Sequence, residues 1–143
     1  MSGAAEELFA LIERDGRQNH WYFDCNPNLV QAAEAKAQEM GKRGYFAHCN
    51  PDGVCSNSIA EIAGCTLPDF YTPNGNNIES LAAGSPDIEV IFQHLAASTL
   101  HANHIFGNHE FFLTQHEIGI GVAFVEGSEF GWYYVVLIAE CVP

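Results

Sequence analysis

Apolar residues recur at helical spacing along four stretches of the chain and at strand spacing near its end. From Ala4 to about Arg14, Leu8, Leu11 and Ile12 fall on one side and Glu6, Glu7, Glu13 and Arg14 on the other, which predicts a surface helix closed by Asp15-Gly16. From Leu29 to Arg43, Val30, Ala33, Ala37 and Met40 repeat with the same period, and the small alanines predict close packing against another element. A short helix follows over Ser58 to Ala63 and stops at Gly64. In the fourth stretch Ile88, Ile91, Phe92 and Leu95 stand at i, i+3, i+4 and i+7. Ser85 is placed to cap this helix, Pro86 to open it and Asp87 to meet its positive end. The helix is expected to reach Ser98-Thr99-Leu100-His101, with Glu79 isolated before its start and His101 at its far end.

The strand-like segments close the chain. Ile118 to Val125 sets Ile118, Ile120, Val122 and Phe124 against Gly119, Gly121 and Ala123, so one face is bulky and the other nearly bare. A bare strand face lets something approach closely. Trp132 to Ala139 is apolar on both faces and expects cover from both sides. Helices above and below a small central antiparallel sheet satisfy that, so the fold class is α+β, a three-layer α/β/α sandwich. Residues 1–143 show no linker or repeat and read as one domain. Between the third and fourth helices Thr66 to Asn77 is a long polar loop of the kind that forms a rim or lid.

Charge narrows the partners. Lys and Arg number 5 against 18 Asp and Glu, and a net charge of -13 argues against nucleic acid or an anionic membrane surface. The longest apolar run, Trp132 to Ala139, is far short of the roughly 20 residues that span a bilayer. Met1 to Glu7 has neither the basic nor the apolar region of a signal peptide. Cys25, Cys49, Cys55, Cys65 and Cys141 lack zinc-ligand spacing and suit an oxidising compartment, with two bridges and one odd thiol; Cys49 and Cys55 are the first expected pair.

Three residues stand out for chemistry: His48, Glu79 and His101, each at the edge of a loop or helix end. Two imidazoles and a carboxylate suit a divalent metal completed by water, or general acid-base work. Taken singly, each histidine is more often a hydrogen-bonded structural residue and Glu79 a surface acid. His104, His109 and His116 are expected on a solvated rim. Ser98 has no nucleophile elbow, and Cys49 beside His48 is better read as a disulfide half. The pairs Tyr45-Phe46, Phe111-Phe112 and Tyr133-Tyr134 read as core, with those near the site able to line an apolar groove.

The ordered set Phe46-Ala47-His48, Glu79-Ser80-Leu81-Ala82-Ala83-Gly84, Ser98-Thr99-Leu100-His101-Ala102-Asn103, Ile118 to Ala123 and Tyr133 to Val136 resembles the bacterial branch of the CAP superfamily, the SCP domain. The likeness covers nearly the whole chain. It implies an exported α/β/α sandwich around a cavity in which His48 and His101 are the metal-binding histidines and Glu79 the acid. Ile78, Ser80, Ala102 and Leu95 depart from the motifs, standing where the family has glycine, asparagine, arginine and tryptophan, and no second cavity acid is assigned. Three functions follow: a secreted or cell-surface module holding zinc or another divalent cation beside a groove for a small apolar ligand or protein partner; a metal-dependent hydrolase with Glu79 as general base; or a non-catalytic scaffold with a vestigial cavity. A monomer is expected.

Overall fold

The strand that both layers share is β4 (Trp132–Ala139), at the centre of a computed structural model that describes residues 1–143. Its side chains alternate between two cores: Tyr133, Val135, Leu137 and Ala139 enter one, Tyr134, Val136 and Ile138 the other. β3 (Glu117–Phe124) and β2 (Glu79–Ala83) pair with it antiparallel on either side. The two-residue β1 (Asp24–Cys25) joins the outer edge of β3 in parallel, giving the order β1-β3-β4-β2. The three main strands form the expected small antiparallel sheet, and the two-residue β1 makes it mixed at one edge. Two residues are too short to show an alternation, and the backbone bonds from Asp24 N–H to the His116 carbonyl and from Asn26 N–H to the Ile118 carbonyl set the direction.

One face is covered by α2 (Pro27–Arg43) with α3 (Ser56–Ala63) beside it, the other by α1 (Gly3–Arg14), α4 (Ile88–Ala97) and α5 (Thr99–Phe106). Asn26 caps α2, its side-chain oxygen accepting from the Asn28 and Leu29 amides, and Pro27 takes the first helical position. The bare face of β3 is where α2 lies. A Cβ at Gly119 would stand 2.3 Å from the Leu29 carbonyl carbon, and one at Gly121 2.2 Å from that of Ala33. Glycine on the strand and alanine on the helix together bring two backbones into contact.

Three features of the fourth stretch differ from expectation. Asp87, not Ser85, caps α4, accepting from the Glu89 and Val90 amides, so the helix opens at Ile88. Extended backbone at Ser98, with φ -89° and ψ 123°, divides the expected single helix in two and puts His101 in the first turn of α5. Glu79 lies in a strand rather than a loop, because the segment pairs residue for residue with Leu137 to Tyr133 of β4. The short α6 (Glu110–Leu113) follows α5.

Cys49 and Cys55 are bridged as expected, a second disulfide joins Cys65 to Cys141, and Cys25 is free and exposed. No helix is long and apolar enough to cross a membrane.

Candidate functional site

β2 is an edge strand, and alternation along it sends neighbouring side chains to opposite layers. Glu79 turns towards the α2 side and Ser80 towards α5, and each meets a histidine. His48 Nδ1–H donates to Glu79 Oε1 at 2.8 Å. The Glu79 side chain is 1% exposed and that of His48 42%, so the carboxylate is sealed beneath a ring that reaches solvent. Across the strand Ser80 Oγ and His104 Nδ1 lie 2.7 Å apart, and His104 Nε2 is 3.2 Å from the Ile138 carbonyl.

Between the two pairs is a cavity of about 250 Å³ lined by His48, Glu79, Ser80, His101 and His104, with Ile78, Leu100 and Phe112 supplying apolar wall. The three residues singled out in the sequence thus share one hollow, closed by Asn76 and Asn77 from the end of the long polar loop. A larger depression of about 530 Å³ between α3 and that loop has no histidine or cysteine on its walls.

Each part is held in place. Asn76 Oδ1 accepts from the Ile78 and Glu79 amides while its Nδ2 donates to the Glu79 carbonyl, so one side chain grips both polar backbone groups of Glu79. Lys36, buried in α2, donates from Nζ to the His48 carbonyl at 3.0 Å and stands 5.0 Å from the Tyr45 ring centroid. Burial lowers the Lys36 pKa, and the charges of Glu79 and Glu39 oppose that. Half-buried His101 is pushed below the usual histidine value, first by desolvation and then by His48. Neutral imidazole is the form that offers a lone pair.

His104 corrects the sequence reading. Its side chain is not on a solvated rim but buried, and desolvation pulls its pKa to about 3. Asn108 and Gly107 had marked the segment as loop, yet α5 runs on to Phe106 before Gly107 ends it with φ 62°. The i, i+3 spacing from His101 was the usable signal for His104, since it puts both rings on one side of a helix. His109 is exposed, and half-buried His116 stacks on Tyr22 with ring centroids 4.2 Å apart. Ser80 and Lys36 carry no signal of their own. A base as weak as His104 gives the Ser80 hydroxyl little activation, so the pair is a fixed hydrogen bond rather than a nucleophile with its base.

The donor set falls short of a metal site. Glu79 is the sole acid on the lining, and no group of three or more His, Cys, Asp or Glu side chains comes together as a metal-holding cluster. Two features fit a cation. A carboxylate on Nδ1 is the partner that orients metal-binding histidines, leaving Nε2 as the donor. His101 faces the same hollow with no hydrogen-bond partner in the chain.

No protein-family model matches the sequence, nor does any curated protein. Solved structures do match. An extracellular protein of Bacillus anthracis containing an SCP domain superposes with a TM-score of 0.70 at 17% identity over 96% of this chain, which spans 40% of that protein's length. An outer surface protein of Borrelia burgdorferi gives 0.64 at 16% identity, over 97% of this chain and 87% of the other. Helices on both faces of a four-stranded sheet, with the cavity at its β2 edge, thus amount to an SCP-like fold.

Proposed function

We propose that this chain is an exported SCP-domain protein whose cavity binds a divalent cation through His48 Nε2 and His101, beside an apolar wall that receives a small apolar ligand or a partner side chain. Export is supported by the extracellular and surface proteins that share the fold and by two disulfides in one small domain. The observation that carries the cation is the buried Glu79 carboxylate fixing His48 by Nδ1 while a second, unpartnered imidazole faces the same hollow. Imidazole donors suit zinc, copper and nickel better than calcium or magnesium. A bound cation would supply a Lewis acid; His48 and His101 would hold it and Glu79 would set the orientation and tautomer of His48.

This geometry favours a binding role over hydrolysis. Glu79 already accepts the His48 proton donor at 2.8 Å and is 1% exposed, which suits an orienting group better than a base for water. The apolar part rests on Phe112 and on Leu100, which is 80% exposed at the mouth. Calorimetric titration with zinc is the test. The expected result is one site per chain, abolished by His101→Gln and weakened about 10- to 100-fold by Glu79→Gln, the usual cost of losing an orienting carboxylate. Absence of heat with zinc, cobalt and nickel would remove the cation from the reading.

A further inference from the structure

His48 lies on a stretch that the backbone leaves loose. Residues 46–49, just beyond α2, make no backbone–backbone hydrogen bond, the mark of a segment that opens easily. Three links hold His48: its ring on Glu79 Oε1 at 2.8 Å, Lys36 Nζ on its carbonyl at 3.0 Å, and the bridge that starts at the next residue, Cys49. The other end of that bridge is firm. Cys55 is the buried N-cap residue of α3, its amide donates to Asn74 Oδ1 at 2.9 Å and its carbonyl accepts from Ile59. Asn50 closes the turn between the two sulfurs by accepting from the Asp52 and Val54 amides, and those bonds reach no residue before Asn50. The two disulfides also differ in access. Cys49 is exposed, whereas Cys65 is buried and Cys141 half-buried against the α2-side core. Thiol–disulfide exchange requires a thiolate to reach a sulfur, so the bridge beside His48 is the one open to it.

We infer that the Cys49–Cys55 bridge is a reversible redox lock on His48, opened and closed by a dithiol partner of the thiol–disulfide oxidoreductase class, and that the His48–Glu79 pair holds only while the bridge is closed. In opening, a thiolate of the dithiol attacks Cys49 Sγ, the Cys49–Cys55 bond breaks and Cys55 leaves as a thiolate. The second thiol of the partner then displaces Cys49. The partner departs as its own disulfide, two electrons have passed to the chain, and Cys49 and Cys55 take up one proton each. Closing is the reverse, with the oxidised partner accepting two electrons, which places completion of the cavity in an oxidising compartment. An opened lock strands Glu79: a carboxylate 1% exposed loses the one hydrogen bond to its side chain, and no backbone bond returns His48 to it. Only the His48–Glu79 contact is needed for this, not the proposed cation.

Mild dithiothreitol treatment of the folded protein, with free Cys25 blocked beforehand, tests this. Alkylation and peptide mass mapping should then label Cys49 and Cys55 while Cys65 and Cys141 stay bridged. In an unalkylated sample of that species, nitrogen-15 NMR should show loss of the fixed Nδ1–H tautomer of His48 in favour of the averaged tautomers of a free ring, and reoxidation should restore it. The Cys49→Ser/Cys55→Ser double variant, with its thermal midpoint recorded to verify folding, should show the same loss without any reagent. A bridge that resists the dithiol, labelling of Cys65 and Cys141 as early as Cys49, or a ring still fixed as Nδ1–H with Cys49 and Cys55 free overturns the lock. All these readouts are taken without metal, so a protein that binds no zinc leaves the result unchanged.

Discussion

The two faces of the sheet are closed by different means. On the α2 face glycine and alanine let backbones touch, and the Cys65–Cys141 bridge ties the last residues to the segment after α3. On the opposite face Leu8, Ile12, Ile91, Leu95 and Phe106 fill a conventional side-chain core, and two buried imidazoles, His20 and His104, hydrogen-bond to backbone carbonyls at its margin. Both faces bury a side-chain core, but the first adds backbone contact at its glycines and a covalent bridge, and the second adds buried neutral rings. Redox change should therefore damage one and acid the other.

The largest effect is expected from the long disulfide. Replacing Cys65 and Cys141 by Ser removes a bridge across 76 positions, about 4 kcal/mol of stability by loop-closure entropy, against about 2 kcal/mol for the Cys49–Cys55 bridge of separation 6. Urea unfolding of the two double variants measures both, and equal losses would break the contrast. Next comes Gly121→Ala, whose new methyl would meet the α2 backbone at 2.2 Å; a loss of about 3 kcal/mol is expected in the same assay, since neither strand nor helix can yield locally.

The smallest and most selective effect belongs to the other face. His104 falls from 6.5 to about 3 on folding, so the unfolded chain binds its proton first and stability declines as pH drops below about 6.5. Between pH 6.5 and 5 that single ring contributes a loss of about 2 kcal/mol, at the linkage rate of about 1.4 kcal/mol per pH unit. His20, lowered to about 4 mainly by burial, adds a loss of the same sign. Unfolding curves at the two pH values, run on the parent and on His104→Gln, should show a shallower acid decline in the variant. An identical decline would show that the ring titrates as it does in the unfolded chain.

Legibility in the sequence followed the same division. Strong periodicity exposed α2, β3 and β4, and the Gly119/Gly121 face foretold close approach before any partner was known. The bounds of β4 are those its apolar run implies. β2 escaped notice because Ala82-Ala83-Gly84 offers no alternation, and its strand state comes from pairing with β4. The break at Ser98 escaped because both flanking segments are helical. His48, Glu79 and His101 were found as a set, through the order of their motifs rather than through any single spacing. In the sequence Ser80 is only a departure from a family pattern and His104 one of several histidines beyond the apolar helix; what joins them is tertiary, a strand and a helix separated by 24 positions.

Asn76 has a bearing on how the protein behaves at high concentration. By offering an amide oxygen to Glu79 N–H and an amide nitrogen to its carbonyl, it imitates the next strand of the sheet at one point on the outer border. An incoming chain that tried to extend the sheet there would find those hydrogen bonds already made, while the far border is only two residues long. The same asparagine that steadies the carboxylate thus discourages fibre-like stacking, and tuning the pocket and keeping the molecules apart become one task for selection.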